Sequence, residues 1–450
     1  MSLEPAADRT NLDEVDQFIE SVGDALADGM IPLRIHNDPE LYQRELERIF
    51  AKSWIFVGHE SELRDPGDYA RRYIGEDPYI FVRDEEGEIH VLFDSCCHRG
   101  AQFSRAEQGN TSHFRCPYHG WTYRNDGSLL GMPYKKEAYK DLDPDEVHMI
   151  EATVETYAGL VFARIAEEGP SLDEYLGDFK WYMDMAFDAT EGGLRVVGEP
   201  QRVQSEHDWK TSADNFGGDS YHVLTTHQSA MELEYSEPVW DEVEEYAPPS
   251  YLFCTDRHSG GYYLLDRDDV CMGYPDYVKE HLNPDLDERQ RELFGRSLFN
   301  TGTVFPNMSF WHGINQVGGP WVNIRVWLPK GPGRTEIMSW WLVPEEVYED
   351  EAFMDSAFEG YESLTPAGIF EADDVEIWSG IAENSKSVTN RERDVEGHLK
   401  LGMEEMSEIE WIDDDSHGPA KVTNGGLYFD ERNARTIYQA WYDMMSPTKQ

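Results

Sequence analysis

Cys96-Cys97-His98-Arg99-Gly100 and Cys116-Pro117-Tyr118-His119-Gly120-Trp121 are the two short runs on which the reading of this chain turns. Each offers one thiolate and one imidazole, and each carries a glycine where a tight reversal needs one. Two such loops facing one another can give two Cys to one iron and two His to the other, the ligand set of a [2Fe-2S] centre of Rieske type. Replacing two thiolates by neutral imidazoles removes negative charge beside the iron and raises its potential. Zinc is the rival for two Cys and two His, but zinc fingers pair Cys with Cys and His with His at short separation, whereas each unit here mixes the two. Cys97 stands between two proposed ligands, and adjacent residues do not readily point at one metal pair, so it reads as a non-ligand open to oxidation. Cys254 and Cys271 read as small apolar packers.

A second ligand set lies downstream, in Asn215-Phe216-Gly217-Gly218-Asp219-Ser220-Tyr221-His222-Val223-Leu224-Thr225-Thr226-His227. Two His and one carboxylate on one face of an iron leave adjacent positions free for dioxygen or water, which favours Fe(II) over zinc at His222 and His227. Spacing alone does not settle which carboxylate joins them, although Asp219 is near in sequence. At ~100° per residue the two histidines are ~140° apart on a regular α-helix, too far to share a metal. The spacing therefore predicts a helix end or a π-type turn near Thr225-Thr226.

Composition bounds the rest. A chain of 450 residues is long for one domain and comfortable for two. No apolar run approaches the length of a membrane span, and the acidic start, Met1 to Asp28, lacks the basic and apolar regions of a signal peptide, so a cytoplasmic location is expected. Lys and Arg number 38 against 89 Asp and Glu, a formal charge of −51, and only 12 of the 38 are Lys. Self-repulsion on that scale is tolerable where salt screens it, which reads as adaptation to a salty, halophilic cytoplasm. Disorder is excluded by aromatic residues spread along the chain, and a nucleic-acid partner by repulsion from phosphates. Five cysteines, an odd and sparse set, argue against a disulfide framework.

Along the chain, the first fifty residues read as helical, with Asn11 or Asn37 as caps and Leu41, Leu46, Ile49 and Phe50 on one side of a second helix. From Trp54 short runs rich in Val, Ile, Phe and Tyr alternate with Gly, Pro and Asp turns, as in a small antiparallel β domain that closes with a strand over Thr153 to Ile165. Ala166 to Ser171 is turn chemistry and reads as a boundary. Beyond it, Leu172 to Phe187 is helix-like and Leu194 to Gln204 strand-like, and a helical pattern from about Trp209 carries the second ligand set. The clearest later strands are Thr301 to Phe310, Trp321 to Leu328 and Ile337 to Val343. A mainly helical region follows through Asp374 towards His398, and Asp430 to Met445 is a last amphipathic helix. The sum is an α+β chain.

The two loops together with Asp219-x-x-His222-x-x-x-x-His227 resemble the large (alpha) subunit of the Rieske non-haem iron aromatic-ring-hydroxylating oxygenases. The likeness extends through Pro66-Gly67-Asp68-Tyr69, Tyr157 to Phe162, Gly302 to Asn307 and the run from Pro366 to Asp374. One departure is Cys97, where the family usually has Arg. The resemblance implies an N-terminal helical arm (1–50) packing on the catalytic domain, a small antiparallel β Rieske domain (51–165) and a larger catalytic domain (166–450) with an antiparallel sheet flanked by helices. It implies Cys96, His98, Cys116 and His119 as cluster ligands and His222, His227 and Asp374 as ligands of mononuclear Fe(II), with Asp373 the runner-up carboxylate. Glu371 and Glu376 are then solvated or behind the ligands. Asp219 is freed to hold an imidazole of the site, since three residues place it on nearly the same helical face as His222. In the family the equivalent Asp also reaches a Rieske His of a neighbouring subunit, here His119, which implies a homotrimer.

Pocket candidates from the same motifs are Asn215, Phe216, Val223, Phe305, Asn307 and Phe370, with Phe310, Trp311 and Trp378 behind them. The implied function is a terminal oxygenase that hydroxylates an aromatic ring with O2, by cis-dihydroxylation. Its electrons come from NAD(P)H through a reductase, a ferredoxin or both, since the chain has no nucleotide-binding glycine fingerprint, and a small beta subunit is a further partner to expect. The rival within the class is a Rieske monooxygenase or demethylase acting on a methoxylated or non-aromatic substrate; relatives acting on quaternary amines often carry Glu where this chain has Asp219. An electron-transfer or metal-storage protein is disfavoured, because a carrier needs no open coordination site.

Overall fold

The computed structural model describes residues 12–230, 250–313, 320–403, 410–412 and 414–449. The chain divides into two compact units, Phe50–Tyr175 and Met1–Ile49 with Leu176–Gln450. No helix among the described residues is long and apolar enough to cross a membrane.

The smaller unit is antiparallel throughout. A four-stranded sheet has the order Ile89–Phe93, Asp77–Arg83, Asp68–Ile74, Gln108–Asn110, and three short strands, Phe114–Arg115, Thr122–Tyr123 and Leu129–Gly131, form a second sheet. The expected closing strand over Thr153 to Ile165 is in fact a hairpin, Thr153–Tyr157 and Leu160–Arg164, whose second strand also pairs Ile55–His59. The reversal falls at Ala158-Gly159, both at positive φ, where glycine carries no steric cost. Ile80, Val82, Leu92, Phe103, Phe114, Trp121 and Tyr123 form a core that also encloses Cys96 and Cys116.

The larger unit begins with α1 (Glu14–Ala27) and α2 (Pro39–Glu45). Their N-caps are Asp13 and Asp38 rather than the expected asparagines: each carboxylate accepts a free first-turn N–H, and Pro39 at the first helical position has no N–H to lose. Asn37 instead donates to the carbonyl of Ala382, and Asn11 lies outside the described residues. A ten-stranded antiparallel sheet follows. Its strands are β1 (Leu194–Val196), β2 (Gln201–Ser205), β3 (Ser250–Cys254), β4 (Ser259–Leu264), β5 (Ser297–Val304), β6 (Met308–Gly313), β7 (Trp321–Pro329), β8 (Thr335–Pro344), β9 (Glu410–Trp411) and β10 (Lys421–Asn424). The order is β1-β8-β7-β6-β5-β4-β3-β10-β9, with β2 also on β8. Gly198-Glu199-Pro200 splits the run expected as one strand over Leu194 to Gln204, and Pro306-Asn307 turns the run expected over Thr301 to Phe310 into the β5–β6 hairpin. Every residue of β7 and β8 is buried, so these strands lack the alternation of a half-solvated sheet.

Helices cover this sheet. Those packed on its strands include α3 (Trp209–Phe216), capped by Asp208, α5 (Glu351–Ser363) and α7 (Arg432–Met445), while the one-turn α4 (Val223–Thr226) and α6 (Ile369–Ser385) carry or flank the second candidate ligand set. Between α5 and α6 only glycine fits at 368, where a Cβ would lie 2.5 Å from the carbonyl oxygen of Ser363. Glu45 of α2 is buried against α3 and α7: Lys210 Nζ lies 2.6 Å from Glu45 Oε1 and 2.8 Å from Asp208 Oδ1, and the Trp209 and Trp441 indole N–H groups also donate to Glu45.

Candidate metal centres and the adjoining cavity

Two loops of the smaller unit repeat one hydrogen-bond pattern. Cys96 N–H donates to Ala101 O at 3.0 Å and Gly100 N–H to Cys96 O at 2.8 Å; Cys116 N–H donates to Trp121 O at 2.7 Å and Gly120 N–H to Cys116 O at 3.0 Å. Gly100 and Gly120 close the reversals at φ 72° and 73°, which L side chains rarely adopt. The repeat turns both thiols into the core and both imidazoles outward: Cys96 and Cys116 are buried, His119 is exposed, and the His98 and His119 rings lie 4.6 Å apart. His98 stacks on Trp121 at 5.0 Å, and its buried Nδ1 has no hydrogen-bond partner among the described residues. An orphaned imidazole nitrogen facing a second imidazole, with two buried thiols behind, fits a two-Cys, two-His [2Fe-2S] cluster. Tyr123 Oη, 3.6 Å from Cys96 Sγ, is placed to hydrogen-bond a ligand sulfur. Cys97 is exposed, and its thiol donates to the carbonyl of His148.

In the larger unit α3 stops at Gly217, and Gly218 takes φ 124°. The helical pattern expected to run on from Trp209 is therefore broken, and Asp219 is not on a helical face with His222. It reaches His222 through a turn: its Oδ1 accepts from the N–H of Tyr221 and lies 3.4 Å from that of His222, while its Oδ2 lies 3.5 Å from His222 Nδ1. His222 and His227 cap the two ends of α4, and His227, at φ −97° and ψ 15°, has left the helix. Ending the helix at Thr226 lets both rings converge.

They converge on Asp374 of α6, whose Oδ1 lies 3.4 Å from both His222 Nε2 and His227 Nε2. One ligand atom from each residue lies within 4.8 Å of the others, as a shared metal ion requires. Asp373 is turned to the far side of His227, its Oδ2 3.7 Å from Nδ1, and neither atom has another partner among the described residues. Burial pushes the Asp374 carboxyl up to about 7 and the His227 imidazole down to about 3. A divalent ion bound between them would stabilise the carboxylate and needs the imidazole neutral, so the donor set fits one. Burial opposes charge on His222 too, but Asp219 and Asp374 outweigh it and raise its pKa.

Beside the triad is a cavity of about 420 Å³. Asn215, Phe216, Val223 and Phe370 line it, as do all three triad residues. Phe305 and Asn307 do not. They sit in the β5–β6 turn, where Phe305 packs on Trp209 and its N–H donates to His258 Nδ1, and where Asn307 Nδ2 donates to the carbonyl of Trp327. Leu298, Phe299 and Thr301 of β5, Trp311 of β6 and Leu364 form a further part of the wall, and Gly218, Asp219 and Ser220 line it as well. The period-two pattern is the signal that finds Phe299 and Thr301 together, once strand phase is known; Trp311 is the cross-strand partner of Thr301. Phe310 points to the opposite face, against Phe179 and Phe187, and Trp378 packs on His207 and Trp327. Glu371 is not solvated: it is buried in an ion pair with Arg325, and its charge adds to the upward shift of the Asp374 carboxyl. Of the described lining residues none is Lys or Arg.

Residues 53–157 match the Rieske [2Fe-2S] domain, and residues 180–447 match the ring hydroxylating alpha subunit catalytic domain. The chain is 34% identical over 442 residues to the benzene 1,2-dioxygenase alpha subunit of Pseudomonas putida, covering 95% of this chain and 93% of that one. It is 34% identical over 406 residues to the alpha subunit of N,N-dimethyl phenylurea N-demethylase of Sphingobium sp. strain YBL2, covering 85% and 86%. The structure of naphthalene 1,2-dioxygenase from Rhodococcus sp. bound to indole superposes with a TM-score of 0.87 at 36% identity, covering 97% of this chain and 99% of that one. A cluster-bearing domain followed by a non-haem iron catalytic domain makes the cofactors a Rieske [2Fe-2S] cluster and a mononuclear iron. The chain belongs to the alpha subunits of the Rieske ring-hydroxylating dioxygenases, oxidoreductases that draw electrons from a ferredoxin or reductase.

Proposed function

We propose that the protein adds both atoms of dioxygen to a neutral aromatic hydrocarbon of two or so fused or linked rings, giving a cis-dihydrodiol. Ring, O2, two electrons and two protons balance to the diol, with NAD(P)H as the distant reductant. The observation that carries the reading is an apolar cavity, without Lys or Arg among its described lining residues, that opens onto His222, His227 and Asp374. An aromatic acid would have to bury its carboxylate there with no Lys or Arg among the described lining residues to pair it.

His222, His227 and Asp374 would hold the iron, and Cys96, His98, Cys116 and His119 the cluster. When bound, the cluster supplies electrons singly and the iron supplies open positions for dioxygen. The chain's own residues do the rest. Asp219 and Asp373 face the outer nitrogens of His222 and His227 and so fix tautomer and ring orientation. Phe216, Phe299, Trp311 and Phe370 present apolar faces that orient a ring and exclude water. The Thr301 hydroxyl is engaged by the carbonyls of Phe216 and Phe310, which leaves that part of the wall without a free donor.

The wider proposal divides the chain into a helical arm at 1–50, an electron-accepting domain at 51–165 and a catalytic domain at 166–450, supported by the compact units at Phe50–Tyr175 and the remainder. It includes a cytoplasmic, salt-adapted enzyme assembled as a homotrimer, with Asp219 reaching His119 of a neighbouring copy. Asp219→Ala should keep both metals and stop turnover; unchanged activity would remove the bridge.

The deciding experiment supplies 18O2 with naphthalene, biphenyl, benzoate and N,N-dimethyl phenylurea, after confirming roughly three irons and two sulfides per chain. A cis-diol from naphthalene or biphenyl with both oxygens labelled is expected. Turnover confined to benzoate would sink the neutral-substrate reading. Demethylation alone would favour the activity named in the phenylurea relative.

A further inference from the structure

The cavity wall is backed by a buried cation. Arg325 of β7 is fully buried, and its guanidinium makes three contacts in three directions. Nε donates to Glu371 Oε2 at 2.5 Å, Nη2 donates to the carbonyl of Leu364, and Cζ stands 4.7 Å from the centre of the Phe216 ring. Its Nη1 and the Oε1 of Glu371 have no hydrogen-bond partner among the described residues.

A buried ion pair is weak evidence for stability, because desolvating two charges costs about what their attraction returns and a well-packed apolar pair often does as well. Here the pair is also incompletely hydrogen-bonded, which tilts the balance further against a purely stabilising role. What it touches suggests another. Phe216 and Leu364 are walls of the cavity, and Glu371 follows the wall residue Phe370 and lies three residues before Asp374 on α6. A planar fork can hold an acceptor on each edge and a ring on its face, and a lysine ammonium cannot.

We infer that Arg325 is a specificity-determining positioning residue. From behind the wall its guanidinium holds Phe216, Leu364 and, through Glu371, the start of α6 in one arrangement, and so sets which rings the cavity accepts beside Asp374. The inference rests on the cavity being the substrate site.

The test uses Arg325→Lys and the double variant Arg325→Met with Glu371→Met, which removes both charges and strands neither. Binding of radiolabelled naphthalene to protein stripped of its mononuclear iron is read by equilibrium dialysis, melting temperature by calorimetry, and KM, kcat and the ratio of diol isomers on the loaded enzyme. The double variant is expected to melt near the wild type yet bind naphthalene about tenfold more weakly, with raised KM and an altered isomer ratio, because a wall displaced by ~1 Å misplaces the ring. Arg325→Lys should do the same with the charge retained, and it carries the test if the double variant fails to fold. Naphthalene affinity within twofold of the wild type and an unchanged isomer ratio in a folded variant would reduce the pair to a structural one and overturn the inference. Failure of the wild-type protein to bind naphthalene or biphenyl would instead remove the cavity reading on which it stands, and the inference with it.

Discussion

Asp373→Ala removes the carboxylate oxygen that lies 3.7 Å from Nδ1 of His227 and leaves that nitrogen buried with no partner among the described residues. Carboxylates behind a ligating imidazole typically contribute 10- to 100-fold in metal affinity, about 1.4 to 2.7 kcal/mol. Two features of the geometry place Asp373 at the lower end. The separation exceeds an ordinary hydrogen bond, and although the oxygen that faces His227 is itself buried, the Asp373 side chain as a whole is 32% exposed, so water can enter the space that truncation opens. The expected loss is therefore about tenfold. The measurement is a competition titration of Fe(II) into anaerobic protein stripped of its mononuclear iron, with cluster sulfide as the internal count of intact molecules. Asp373→Asn, which keeps an acceptor oxygen, should fall between Ala and wild type. Asp374→Ala should abolish binding at the site. Iron affinity for Asp373→Ala within twofold of wild type would refute the orienting role, and a loss as complete as that of Asp374→Ala would make Asp373 the ligand.

Lys210→Met strands the buried carboxylates of Glu45 and Asp208, and breaking a buried pair from one side costs roughly 3–5 kcal/mol, so chemical denaturation should show a loss of that order; a loss under about 1 kcal/mol would deny the cluster its role in joining α2 to α3. His90 is raised to about 9 by its hydrogen bond to Glu151, with Asp84 adding to it and burial opposing. The folded pKa lies above the unfolded one, so the stabilisation is complete below about 6.5 and disappears as pH rises through about 9. Calorimetry should accordingly find His90→Gln less stable than wild type at pH 6 and equal to it near pH 10; a gap that persists at the higher pH contradicts the assignment. With a formal charge of −51, the melting temperature should climb between 0.1 and 1 M salt as the screening length falls from ~10 to ~3 Å, and a flat response would show that self-repulsion is not limiting.

The residues legible in the sequence share a property: their partners are close along the chain. Cys96 with His98 and Cys116 with His119 declare a loop chemistry within four residues, and the ~140° offset of His222 and His227 demanded a helix end that the fold supplies at Thr226. Asp374 is different. Only the family resemblance pointed to it over Asp373, and adjacent helical residues face ~100° apart, so α6 had to be oriented before either could be placed. The wall residues Leu298 and Phe299 were illegible because the phase of β5 depends on its pairing with β4 and β6, and Leu364 because it sits at the C-terminal end of α5, whose packing the local pattern does not give. For Glu45, Lys210, Arg325 and Glu371 nothing local announces that each meets a counterion from a distant segment.

One side of the cavity wall comes from hardware separate from the triad. The side chains proposed to hold the metal come from the two ends of α4 and from α6, whereas Leu298, Phe299, Thr301 and Trp311 come from one β hairpin. Substitutions in the hairpin can therefore reshape what fits without disturbing what is held. A lineage built on this plan can explore new substrates by rewriting a few adjacent strand positions while its oxidative machinery stays under separate, stricter selection.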